Sequence, residues 1–139
     1  MTWVVGFTTT LLVDGMNVIG ARPDGWWRDR DAAVRRLAAA LARLAAREGV
    51  RVVLVLDGRP LADLPEGAHA PGVEVRYARR SGPDAADDRI LDLVRADPAV
   101  DVVTSDRALR DRVTALGARV CGPTTLWTRL DQADAHRRT

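Results

Sequence analysis

The chain has 139 residues and a mass of 15.1 kDa, enough for one hydrophobic core and too little for two that fold without staples. Hydrophobic residues make up 47% and charged residues 29%, a balance that excludes a disordered tail, and no apolar run approaches the roughly 18 residues a membrane span needs. The net charge is +2 with 21 basic residues, and all of them are arginine, which excludes chemistry built on a lysine: the phosphate loop of NTPases, Schiff bases, and the aspartate–lysine site of receiver domains.

Thr8 to Val13 is a β-rich run that ends at Asp14-Gly15 and reads as a buried strand and turn. Val34, Leu37, Leu41 and Leu44 recur at helical spacing, predicting a helix over Asp31–Glu48 that Gly49 stops. Val50–Leu56 is a second apolar run, again ending in Asp-Gly (Asp57, Gly58). The prolines and glycines of Arg59–Gly72 predict a loop. A third strand is predicted at Val73–Tyr77, a basic loop at Arg79–Pro83, a helix at Asp84–Arg95 and a fourth strand at Val100–Thr104. A helix over Asp106–Leu116, a fifth strand at Ala118–Cys121 and a short helix over Thr124–Leu130 follow. Residues 1–8 read as an extension, 9–130 as the single domain, and Asp131–Thr139 as a flexible tail.

Strands that read as unbroken apolar runs and alternate with helices indicate an α/β fold with a mainly parallel sheet covered on both faces. Right-handed crossovers then bring the strand C-termini to one edge, where such sheets bind ligands. Asp14, Asp57 and Asp106 follow the first, second and fourth strands, and Asp87, with its neighbour Asp88, opens the helix after the third. Each has an ordinary alternative: Asp-Gly is a common turn, Asp87 suits a helix N-terminus, and Asp106 suits an N-cap. Four of them on one edge favour a site. Converging carboxylates repel one another unless a proton or a cation lies among them, and an all-oxygen cluster suits Mg²⁺ or Mn²⁺. Asn17 adds a neutral amide to that edge; Ser105 suits either a water contact or a helix cap.

Four segments carry a resemblance: Leu12-Val13-Asp14-Gly15-Met16-Asn17-Val18-Ile19, Val55-Leu56-Asp57-Gly58, Ala86-Asp87-Asp88-Arg89-Ile90 and Val103-Thr104-Ser105-Asp106-Arg107. In this order and spacing, over Leu11–Leu130, the chain resembles the NYN domain in its YacP-like branch. The resemblance implies a PIN-like three-layer α/β/α sandwich with five strands in the order 3-2-1-4-5 and the activity of a metal-dependent endoribonuclease. It places Asp14, Asn17, Asp57, Asp87 and Asp106 on the family's acidic positions. The ion, Mg²⁺ or Mn²⁺, would then be held by Asp14, Asp87 and Asp106, with Asn17, Asp57, Asp88 and Ser105 in support. Two positions depart from the pattern: Met16 stands where tyrosine is common and Ala85 where threonine or serine is.

An acidic site needs a basic surround to admit RNA. Arg22, Arg28, Arg59, Arg79, Arg80 and Arg107 all fall in loops expected at the same edge, and Trp26-Trp27 offers rings for stacking on bases, Trp26 being taken for that role. The expected partner is RNA, including mRNA on the ribosome or structured RNA, with no nucleotide cofactor. An RNA- or ribosome-binding module with little catalysis is the alternative. A haloacid-dehalogenase phosphatase ranks last, since Met16 occupies the position of its second aspartate and lysine is absent. Cys121 reads as a small buried hydrophobe, and His69 and His136 receive no role. One cysteine and two histidines make neither a disulfide nor a zinc site. Met1 to Val13 lacks a basic leader and a cleavage site, so the expected compartment is the cytoplasm.

Overall fold

Each β-run of the sequence becomes a strand of one sheet in the computed structural model, which describes residues 9–79, 82 and 84–138. The elements are β1 (Thr10–Asp14), α1 (Gly15–Gly20), a 3₁₀ turn (Trp26–Arg28), α2 (Arg30–Glu48), β2 (Arg51–Leu56), β3 (Gly67–Ala70), β4 (Val73–Tyr77), α3 (Ala85–Ala96), β5 (Asp101–Val103), α4 (Arg107–Ala115), β6 (Arg119–Cys121) and α5 (Pro123–Arg138). The strand order is β3-β4-β2-β1-β5-β6, parallel throughout except for the antiparallel β3–β4 pair. The expected 3-2-1-4-5 arrangement is therefore present as β4-β2-β1-β5-β6, and the five-strand expectation is corrected to six. β3 escaped notice because Gly67-Ala68-His69-Ala70 carries no strand pattern of its own. It forms by pairing back onto β4 across Pro71 and Gly72, whose φ of 82° suits a glycine.

Side-chain alternation along the strands divides the core into two layers. Leu11, Val13, Leu54 and Leu56 face α1, α2 and α5, packing with Val18, Leu37, Leu41, Leu44, Leu126 and Leu130. Leu12, Val55 and Val102 face α3 and α4, packing with Ile90, Val94, Leu109 and Val113. α2 keeps its expected length because Asp29 caps its N-terminus, accepting the Ala32 N–H at 3.0 Å, while Gly49 ends it in the left-handed conformation at φ 68°.

The flexible tail expected from Asp131 is corrected: α5 continues to Arg138. Leu126, Leu130 and Ala133 recur on one buried stripe against α2, and Arg43 holds Asp134 at 2.7 Å. The expected extension at residues 1–8 lies outside the described residues. No helix among those described is long and apolar enough to cross a membrane.

Tyr77, at the end of β4, ties the 59–72 segment to the sheet. Its buried hydroxyl donates to the Leu64 carbonyl at 2.7 Å and accepts the Leu61 N–H at 3.2 Å. Removing it with Tyr77→Phe leaves both backbone groups without that partner, so a loss of about 1–3 kcal/mol in urea unfolding is expected; an unchanged midpoint would contradict the role.

Candidate metal and nucleic-acid site

β1 lies at the centre of the sheet, so the carboxylate that ends it is surrounded on all sides. Asp14 is only 7% exposed. Burial pushes its pKa up to about 6; a hydrogen bond from Thr104 opposes the rise, and the negative charges of Asp87, Asp106 and Asp57 add to it. Carboxylates following β5 and β2 and on α3 thus act on one buried group, the convergence expected from a parallel sheet. Asp87, in the first turn of α3, is also raised, chiefly by burial and then by Asp106 and Asp84, with Arg112 opposing.

The strand-end backbone is tied together by Thr104, a residue sequence reasoning passed over. Its buried hydroxyl donates to Asp14 Oδ2 at 2.8 Å and accepts the Asp106 N–H at 3.2 Å, linking β1 to the start of α4. Asp106 serves as the cap it resembled, accepting the Leu109 N–H at 3.0 Å, while its charge acts on both Asp14 and Asp87. The two readings of Asp106 are thus compatible. Ser105 donates its N–H at 2.8 Å and its hydroxyl at 3.0 Å to Asn17 Oδ1, which pins α1 to the β5–α4 loop.

Asp57 is held differently. Arg30 donates to its side chain at 2.6 Å and to its backbone carbonyl at 3.0 Å. Sequence reasoning missed Arg30 as well, though a signal was present: a cation in the first turn of a helix opposes the helix dipole and needs a reason to be there. Asp88, next to Asp87 on α3, lines a cleft beside that helix.

The basic surround is partly spent within the fold. Arg22 pairs with Asp131 at 2.6 Å and lies 4.3 Å from the Trp127 ring centroid. Arg28 sits 5.9 Å from the Trp27 ring, and Arg59, Arg79 and Arg107 are exposed. Arg80 lies outside the described residues. Trp26 packs against the core with its ring edge-on to Trp27, 6.2 Å between centroids, whereas Trp27 is 58% exposed. The solvent-facing ring is therefore Trp27 rather than Trp26.

Among the described residues, no three carboxylate, imidazole or thiol groups are gathered closely enough to hold an ion together. The donor chemistry nevertheless fits a hard divalent cation. The acidic side chains offer oxygen donors, the repulsion that adds to the burial-driven rise of Asp14 and Asp87 is what a cation relieves, and Mg²⁺ characteristically takes one or two carboxylates and keeps its waters.

The family described as the YacP-like NYN domain matches residues 11–139. Among solved structures, the chain is similar to Rae1 (YacP) from Bacillus subtilis in two crystal structures. One, of a tryptophan-to-leucine mutant, has 25% identity and a TM-score of 0.76, covering 93% of this chain and 79% of the other. The second has 26% identity and a TM-score of 0.74, covering 94% and 78%. No curated protein sequence matches.

Proposed function

Since the chain belongs to the YacP-like NYN domain family, a group of nuclease domains that generally use divalent metal ions, we propose that it is a metal-dependent endoribonuclease acting through the aspartates at the C-terminal edge of its sheet. The observation that carries this reading is the buried Asp14 carboxylate, on which the charges of Asp87, Asp106 and Asp57 all act. One or two of Asp14, Asp87 and Asp106 would hold Mg²⁺ or Mn²⁺ directly and the remainder through the ion's waters; the ion when bound would supply an activated water and neutralise charge on the phosphate under attack.

The protein's own groups prepare that site. Thr104 holds the Asp14 carboxylate and draws the Asp106 backbone toward it. Ser105 fixes Asn17, whose amide N–H₂ then orients a phosphate oxygen or a water. Arg30 fixes Asp57 and keeps a cation at the acidic edge. Arg28, Arg59, Arg79 and Arg107 supply positive charge for the RNA backbone, and the exposed Trp27 ring supplies a stacking face for an unpaired base.

The test is a labelled single-stranded RNA, and in parallel an mRNA on ribosomes, incubated with Mg²⁺, Mn²⁺ or EDTA. Internal scission is expected with either cation and none in EDTA. Asp106→Asn keeps the helix cap, asparagine being as good there as aspartate, and should slow cleavage by at least about tenfold while the fold persists. RNA that is bound yet uncut under every cation would replace this reading with the binding-module one.

A further inference from the structure

Arg89, on the buried side of α3, is an unusual residue to find inside a small domain: it is 5% exposed. A guanidinium taken out of water costs several kcal/mol unless its donors are matched. Among the described residues its Nε has no hydrogen-bond partner. Its ion pair with Glu66 spans 3.7 Å, longer than a hydrogen bond, and the same Glu66 oxygen already accepts the Tyr77 N–H at 2.9 Å. Glu66 is itself half exposed, so Arg89 is poorly matched within the fold.

Arg89 also lines an open cleft of about 550 Å³, with Arg79 before α3, Arg95 on α3 and Arg112 on α4. Two carboxylates, Asp88 and Asp92, share the wall, and Arg95 donates to Asp92 at 3.3 Å. Guanidinium groups therefore outnumber carboxylates two to one in a cleft with a poorly matched arginine in its wall. The cleft adjoins the acidic edge, because Asp87 and Asp88 are consecutive on α3 and Arg112 acts on Asp87.

We infer that this cleft is a phosphate-binding subsite, in which Arg89, Arg79 and Arg112 hold a phosphate of the RNA strand next to the one that faces the carboxylates. Planar guanidinium forks match phosphate oxygens two at a time, and a fork poorly matched inside the fold gains most from such a ligand. The inference rests on the nuclease reading and adds to it how the strand is positioned: the scissile bond is set by anchoring its neighbour.

The experiment measures binding of a short fluorescein-labelled single-stranded RNA by anisotropy, in EDTA, across a KCl series. Each phosphate contact on a single strand contributes about 0.7 to the slope of log affinity against log salt. Arg89→Gln and Arg112→Gln should each lower the slope by about that amount and weaken binding several-fold, with folding checked by thermal melting. A merely structural Arg89 would change the melt and leave the slope. Should Arg89→Gln fail to fold, Arg112→Gln, at an exposed position in the same cleft, decides the matter. Wild-type binding with an unchanged slope in Arg112→Gln would overturn the subsite and leave the nuclease reading standing. A wild type that binds no RNA would overturn both.

Discussion

Asp14→Asn should make the protein more stable and inactive at the same time. The physical cause is the pKa of about 6 in place of 3.8: burial and three neighbouring carboxylates make the ionised form costly in the folded state. Between about pH 4 and 6 the folded chain therefore binds more protons than the unfolded one, and linkage makes wild-type stability fall as pH rises through that window. Above it the full cost applies, about 2–3 kcal/mol at 1.36 kcal/mol per pK unit. Asparagine keeps an oxygen to accept the Thr104 hydroxyl and carries no charge. Chemical unfolding at pH 8 should show Asp14→Asn more stable by about that amount, and at pH 4 the difference should vanish. On the proposed reading RNA cleavage should, by contrast, fall at least about 100-fold, since losing a metal ligand removes several kcal/mol of charge stabilisation. Mn²⁺ should raise the melting temperature of the wild type and not of the variant. A variant less stable than wild type at pH 8 would refute the electrostatic account of the site.

Gly15→Ala should cost about 1–3 kcal/mol and impair cleavage, although alanine is the better helix former. A Cβ at this position would lie 2.7 Å from Leu56 Cδ2, 2.9 Å from the Val55 carbonyl oxygen and 3.0 Å from Leu54 Cδ1. A leucine tip can move; the carbonyl of a strand in mid-sheet cannot, so α1 must lift. Asn17, two residues on, would lose its registry with Ser105, and Asp14 its place beside Thr104. Gly20, at the other end of α1, has nothing within 4 Å of its Cβ position, so Gly20→Ala should be neutral or stabilising by up to about 1 kcal/mol. The pair of variants isolates close packing from helix propensity. Equal effects on unfolding midpoint would show that the contact with β2 is not what demands glycine.

That glycine illustrates where sequence reasoning stops. Asp14-Gly15 has the look of a strand-ending turn, and its position after a strand is correct. The reason for glycine is instead the approach of α1 to β2, a contact between residues some forty positions apart in the chain. Thr104 escaped for the same kind of reason: threonine is not distinctive at a strand end and becomes informative only through Asp14 on another strand. Arg30 did carry a signal, a cation in the first turn of a helix, but what it answers to is fixed only by Asp57. The choice of Trp26 over Trp27 had no local basis either, since adjacent rings in a turn are sorted by which one meets the core.

By itself the sequence determined the periodic elements and their parallel arrangement, because those follow from alternation, spacing and the handedness of crossovers; the strand order was implied by the family resemblance. β1, β2, β4, β5 and β6 and the helices α2, α3 and α4 lie within a residue or two of the expected spans, and Asp14, Asp57 and Asp106 fall at the C-terminal ends of parallel strands. What only the tertiary structure decided was everything that depends on a partner. β3 is a strand because β4 offers it an edge; α5 persists to Arg138 because α2 buries its stripe; Arg22 belongs to Asp131 and Trp127, and Arg30 to Asp57. Local pattern encodes how much apolar surface a segment must bury and with what period. Which charge meets which, and which carboxylate is kept from water, depends on distances between segments, and those exist only once the chain has folded.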